Sequence, residues 1–351
     1  MVIFDNPTYK HSHKLARKEI TGRMLGKKSA LVKGIATEPL RKNLNQMLQA
    51  IALKSDEKIK ETISSTAIEF IPFGSVNGEA CFPPSEPAFV LLDTGIADFA
   101  GNNSAIFSSL LHDEGKFSDQ EILDYLFSSA LIYFERGEDW DSRRDAIFAP
   151  KLNYSEIPPS IVPKAMGHAH SLILFFALHE LAHVIIDPNE LKDVDPWREV
   201  SNILGVDAPP ALSSQFGESI ADIMAFDLIM NFATFCVPDP KMAVNILSGL
   251  DIGLTFMMFF QGAFPNRQYS KKIIQVNEFM DHPAAFQRRI YFRERVKEKM
   301  KRFSDHLAID FLSEAQRCEE LVFRYGEKIR NGATPSKEFY LKRQLAYQVF
   351  E

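Results

Sequence analysis

"FFALHELAHVII", residues 175–186, sets His179, Glu180 and His183 inside a run that is otherwise apolar. Phe175, Phe176, Leu178, Leu181, Val184 and Ile185 predict a helix locked in the core, where three polar groups must each be satisfied. Residues four apart on a helix lie one above the other, with Cβ atoms about 5–6 Å apart, so His179 and His183 can converge on one ion. Glu180 is turned about 100° from His179 and points beside that ion, where a base acting on water would stand. HExxH on a helix is the known signature of this arrangement. Chance supplies the motif in roughly one chain in a hundred of this size, so it needs support from elsewhere in the sequence.

The helix has legible ends. "YSEIPPSIVPK", 154–164, reads as a turn, with Pro163 in the helix's first turn, where a missing N–H costs little. Pro188 pushes its predecessor away from helical geometry, which places the end near Ile186 or Asp187.

A catalytic zinc takes three protein ligands and keeps one open position. Asp187 fails as the third: eight residues past His179, it lies about 12 Å along a continuous helix. The pattern HExxHxxGxxH is absent, because Ile186 and Asn189 stand where its glycine and third histidine would fall. "FGESIADIMAFD", 216–227, offers a second buried helix with Glu218 and Asp222 four apart on one face. One carboxylate can bind a metal while the other accepts a hydrogen bond from a ligand imidazole.

HELAH followed by ESIAD resembles the gluzincin class of zinc metallopeptidases. The resemblance implies one zinc per chain held by His179, His183 and Glu218, with Glu180 as general acid and base and Asp222 supporting a zinc-bound histidine, His179. "DHPAAFQRRI", 281–290, is similar to the HPxxxxR element of several gluzincins. By that analogy His282 donates a hydrogen bond to the oxyanion and Arg288 stands nearby. The gap between His183 and Glu218 is longer than in the simplest members and leaves room for an insertion around "DVDPWREVSNILGVDAPP". These motifs fall within residues 165–295.

The chain has 351 residues, 46% hydrophobic and 25% charged, with 29 phenylalanines, enough to bury a large core. A net charge of −6 gives no electrostatic reason to bind nucleic acid. Cys81, Cys236 and Cys318 are widely separated and form no CxxC pair, which suits a reducing compartment. The N-terminal stretch carries neither an apolar signal core nor a cleavage site. "AVNILSGLDIGLTFMMFFQGAF", 243–264, approaches membrane-spanning length, but its central Asp251 favours a buried core helix. The expectation is a cytoplasmic protein without membrane contact.

Residues 38–63 carry Leu40, Leu44, Leu48 and Ile51 at helical spacing. Short apolar runs from 67 to 95, punctuated by Gly and Pro, read as strands of a small sheet. Ser118 and Glu121 form a capping box that opens a helix over 118–137, expected to pack on that sheet. The expected fold is α+β, mostly helical, with a zincin-like core and a small mixed or antiparallel sheet. Residues 1–160 would form a helical arm, the sheet and a backing helix, 161–300 the zinc peptidase core, and 301–351 a C-terminal helical region. His168, about 16 Å from His179 along the helix, is a cleft or core residue. His11, His13, His112 and His306 are surface residues.

The expected reaction is hydrolysis of a peptide bond in a protein or peptide substrate held as an extended strand against a sheet edge, supplied by 89–93 or 146–150. Two other readings stand beside it: an interaction protein with a structural or lost metal site, and a zinc amidohydrolase acting on a small amide, with the N-terminal 160 residues as a lid.

Overall fold

The computed structural model describes residues 6–24, 37–72, 76–113, 115–133, 149–152, 154–186, 213–263, 285–300 and 305–348. They are mostly helical, with one small mixed sheet. Helices α1 (Pro7–Met24), α2 (Thr37–Ala52) and α3 (Glu57–Ser65) precede strands β1 (Ala67–Ile71), β2 (Gly78–Cys81) and β3 (Phe89–Asp93). Then follow α4 (Gly95–His112), α5 (Asp119–Tyr133), α6 (Val162–Ile185), α7 (Ser213–Asn231), α8 (Pro240–Ala263), α9 (Ala285–Met300), α10 (Asp305–Arg330) and α11 (Lys337–Gln348). A π-helical segment, Phe232–Cys236, continues α7.

The chain gathers into two compact units. The first holds Met1–Pro72, Asn77–Thr94 and Ile173–Pro238; the second holds Phe73–Val76, Gly95–Leu172 and Asp239–Glu351. Helix α6 contributes residues to both.

In the first unit the strand order is β1-β3-β2, with β1 parallel and β2 antiparallel to β3. β1 and β3 are buried along their whole length. Successive side chains on a strand face opposite ways, and the partners of α1 follow that alternation. Leu91 and Phe89 pack with Ala16, and Glu69 and Glu79, both registered with Leu91, meet His13 and Arg23 of α1 at 2.9 and 2.7 Å. His13 is therefore not a plain surface residue: a buried carboxylate lies beneath it. The single helix expected over 38–63 is two, because the Asp56 carboxylate accepts from Ile59 N at 2.9 Å and starts α3 afresh.

β3 is the central strand, so residues 89–93 cannot offer an open edge to a substrate. The other candidate, 146–150, lies mostly outside the described residues.

In the second unit α5 opens on the expected capping box: Ser118 N–H donates to Glu121 Oε2 at 2.8 Å, and Glu121 N–H donates to Ser118 Oγ at 3.3 Å. The helix packs on α4, while the sheet belongs to the first unit. His168 is fully buried, 3.4 Å from Ser108 Oγ and 3.6 Å from Glu314, a core histidine of this unit.

One expectation is overturned. Val162–Ile185, Gly217–Cys236 and Pro240–Phe260 are each long and apolar enough to cross a membrane, with 83%, 56% and 89% of their most apolar stretches buried inside the protein. Three such helices suggest membrane association, against a cytoplasmic chain without membrane contact. Asp251 does not stand against apolar surroundings, for a physical reason. Arg293 grips both of its carboxylate oxygens, at 2.6 and 2.7 Å, and Arg289 lies 3.5 Å away, so its charge is answered inside the protein.

Candidate metal centre

Helices α6 and α7 face each other across three matched pairs, each one turn from the next. Phe175 stacks on Phe226, with centroids 5.2 Å apart and rings 14° from parallel. His179 Nδ1 lies 2.8 Å from Asp222 Oδ1. His183 Nε2 lies 3.4 Å from Glu218 Oε1. Stepping four residues forward on α6 means stepping four back on α7, the register of two antiparallel helices. The stacked phenylalanines fix the spacing at the buried end, and the polar groups meet beyond it.

His179 is 2% exposed and Asp222 3%, while His183 and Glu218 are partly open. With the Nδ1–H of His179 donating to Asp222, its Nε2 lone pair faces inward. There it meets Glu218 Oε2 at 3.0 Å and His183 Nε2 at 3.4 Å. Converging acceptors at these distances repel unless a cation lies among them, and two carboxylates against one buried imidazole favour positive charge there.

The donor atoms of His179, His183 and Glu218 all lie within 4.8 Å of one another, the one such cluster among the described residues. Ligand atoms about 2.0–2.1 Å from a tetrahedral zinc stand about 3.3 Å apart, close to the 3.0 and 3.4 Å separations here. Two imidazoles and a carboxylate also suit that ion by type. The three side chains can hold a metal ion, and the partial exposure of His183 and Glu218 leaves a side on which a further ligand can approach.

Glu180 is 7% exposed and lies over the face of β2, an edge strand of the sheet among the described residues, where Gly78 backs onto its side chain. His282 lies outside the described residues. Arg288 is buried on α9, in the second unit, whereas the ligand cluster belongs to the first. Residue-by-residue reading of the sequence missed Gly78; a glycine inside a strand is the signal that another group approaches closely.

Comparison with protein-family models, with curated proteins and with solved structures finds no match.

Proposed function

We propose that the protein is a zinc-dependent metallopeptidase of gluzincin type that hydrolyses peptide bonds in a protein or peptide substrate. The observation that carries this reading is the convergence of the donor atoms of His179, His183 and Glu218 within 4.8 Å of one another, with Asp222 hydrogen-bonded behind His179 and Glu180 on the adjoining helix face. His179, His183 and Glu218 would hold the ion. Asp222 fixes the tautomer and orientation of His179. A zinc ion held there would supply Lewis acidity, lowering the pKa of water and polarising a scissile carbonyl. Glu180 accepts the proton of the attacking water and passes it to the leaving amine. His282 and Arg288 are proposed to serve the oxyanion, an interaction strongest in the transition state.

The substrate would add as a strand along β2, an edge strand of the described sheet, in place of the central residues 89–93. Glu180 also separates this reading from a structural metal site, which needs no general base and closes its shell with four ligands. The test is Glu180→Gln in the full chain: zinc content near one per chain, with cleavage of a peptide library lost. Full activity in that variant would refute the mechanism.

A further inference from the structure

Gly78 begins β2, pairs with Leu92 of the central strand, and does not have the positive φ for which glycine is often required. Its backbone is ordinary strand, held in place by the neighbouring bond from Asp93 N–H to Asn77 O at 2.9 Å. What distinguishes the position is the space a side chain would need. A β-carbon built there would lie 2.8 Å from Glu180 Cγ, 2.9 Å from Glu180 Oε1 and 3.0 Å from Leu92 Cδ2. Side chains in close-packed interiors do not approach so closely.

Two of those three contacts belong to Glu180. The strand backbone is tied into the ladder, whereas Cγ and Oε1 of Glu180 sit on rotatable side-chain bonds, so a methyl group at 78 is accommodated by turning the carboxylate. A glycine in a strand ordinarily costs stability and packs nothing, so its use here has a steric reason.

We propose that Gly78 is a positioning residue for Glu180: the bare backbone of β2 forms the wall against which the carboxylate rests, and holds it where it can act on a water at the metal centre. The inference rests on the reading of Glu180 as general base. It also ties the sheet edge to the catalytic machinery, because the strand proposed to receive substrate is the one that seats the base. Misplacement by about 1 Å costs on the order of 10²-fold in rate.

The experiment uses four full-length variants: Gly78→Ala, Glu180→Asp, Glu180→Ala and Glu180→Gln, with Gly78→Ala combined with the first two of the Glu180 variants. Cleavage is read on the best-cut member of a peptide library, and thermal melting and zinc content are read on each protein. Gly78→Ala should keep its zinc and lose about 10²-fold in kcat, with little change in KM. In the Glu180→Asp background, where the carboxylate is drawn back toward the helix, the same substitution should cost less than about tenfold, a coupling that general damage to the sheet would not produce. The melting cost of Gly78→Ala should likewise fall in the Glu180→Ala background, where only the Leu92 contact remains.

An equal loss in both backgrounds, or wild-type kcat in Gly78→Ala, overturns the positioning role. If Gly78→Ala fails to fold, recovery of folding by Glu180→Ala supports the inference, and misfolding in both overturns it. Full activity in Glu180→Gln removes the general-base reading and the role of Gly78 with it. Inactivity of Glu180→Gln beside an unimpaired Gly78→Ala removes the positioning role alone.

Discussion

Removing the Asp222 carboxylate should weaken zinc binding without touching any of the three proposed ligands. The bond at stake runs 2.8 Å from His179 Nδ1 to Asp222 Oδ1, between residues 2% and 3% exposed. A charge-assisted hydrogen bond in such a dry place contributes about 1.5–3 kcal/mol. Loss of a ligand histidine's supporting partner typically costs 10- to 100-fold in metal affinity, or about 1.4–2.8 kcal/mol, and the two figures agree. Asp222→Ala should therefore bind zinc 10- to 100-fold more weakly. Asp222→Asn keeps an acceptor oxygen within reach of Nδ1 but loses the charge, and should fall short of a tenfold loss. Competition for zinc against a chromogenic chelator at fixed pH measures both, with melting curves to establish that each variant is folded. A folded Asp222→Ala protein with zinc affinity within twofold of wild type would refute the reasoning, because the orientation of His179 would then not depend on the bond.

Burial beneath α1 pushes the Glu69 carboxyl up to about 7 from its ordinary 4.5, against the opposing pull of Arg41 and Arg17 and with Glu38 adding to the rise. The folded protein thus holds a proton that the unfolded chain releases, so stability should fall as pH rises from about 4.5 to 7, by at most about 3 kcal/mol. Glu69→Gln should flatten that slope in denaturant titrations across this range, and an unchanged slope would sink the assignment. Asp251→Ala leaves Arg293 and Arg289 facing a vacated carboxylate site at a position 0% exposed, and should cost about 3–5 kcal/mol in unfolding experiments; a loss below 1 kcal/mol would contradict the pairing. Cell fractionation should recover the full chain with membranes and release it with detergent; complete recovery in the soluble fraction would count against the three apolar helices as membrane-associating elements.

The candidate metal centre was the most legible part of the sequence. His179 and His183 on one helix and Glu218 and Asp222 on another are both spaced by four residues, and a four-residue step is common to the facing surfaces of antiparallel helices. The phenylalanine pair that sets their distance follows the same rule: Phe175 stands four residues before His179, and Phe226 four after Asp222. The sheet edge was not legible, since Gly78 lies about a hundred positions from Glu180 in the chain and carries no chemistry of its own. Nor was the role of His13, because Glu69 sits in a strand buried along its whole length, where periodicity gives no hint that an imidazole waits above it. The break between α2 and α3 was written in the sequence as Asp56, a preferred helix-starting residue, but the apolar spacing on either side masked it.

Asp251 marks the limit of judging a helix by its own composition. Within 243–264 it is the sole ionisable group, and a charge considered alone argues strongly against apolar surroundings. Its meaning changes with its partners, which lie some forty residues downstream on α9. A carboxylate gripped through both oxygens by Arg293 is nearly neutral as a unit, and it tolerates a low-dielectric setting that either residue alone would not. The same holds at the metal centre, where Glu218 and Asp222 sit within an apolar helix because His179 and His183 meet them from α6. In both places the polar residue that looks misplaced in its own segment fixes how that segment pairs with another. Of the three apolar helices, α7 with its π continuation has the least of its apolar stretch covered, 56%, and carries Phe235, 60% exposed, in its last turn. The helix that carries Glu218 is therefore also the least covered of the three.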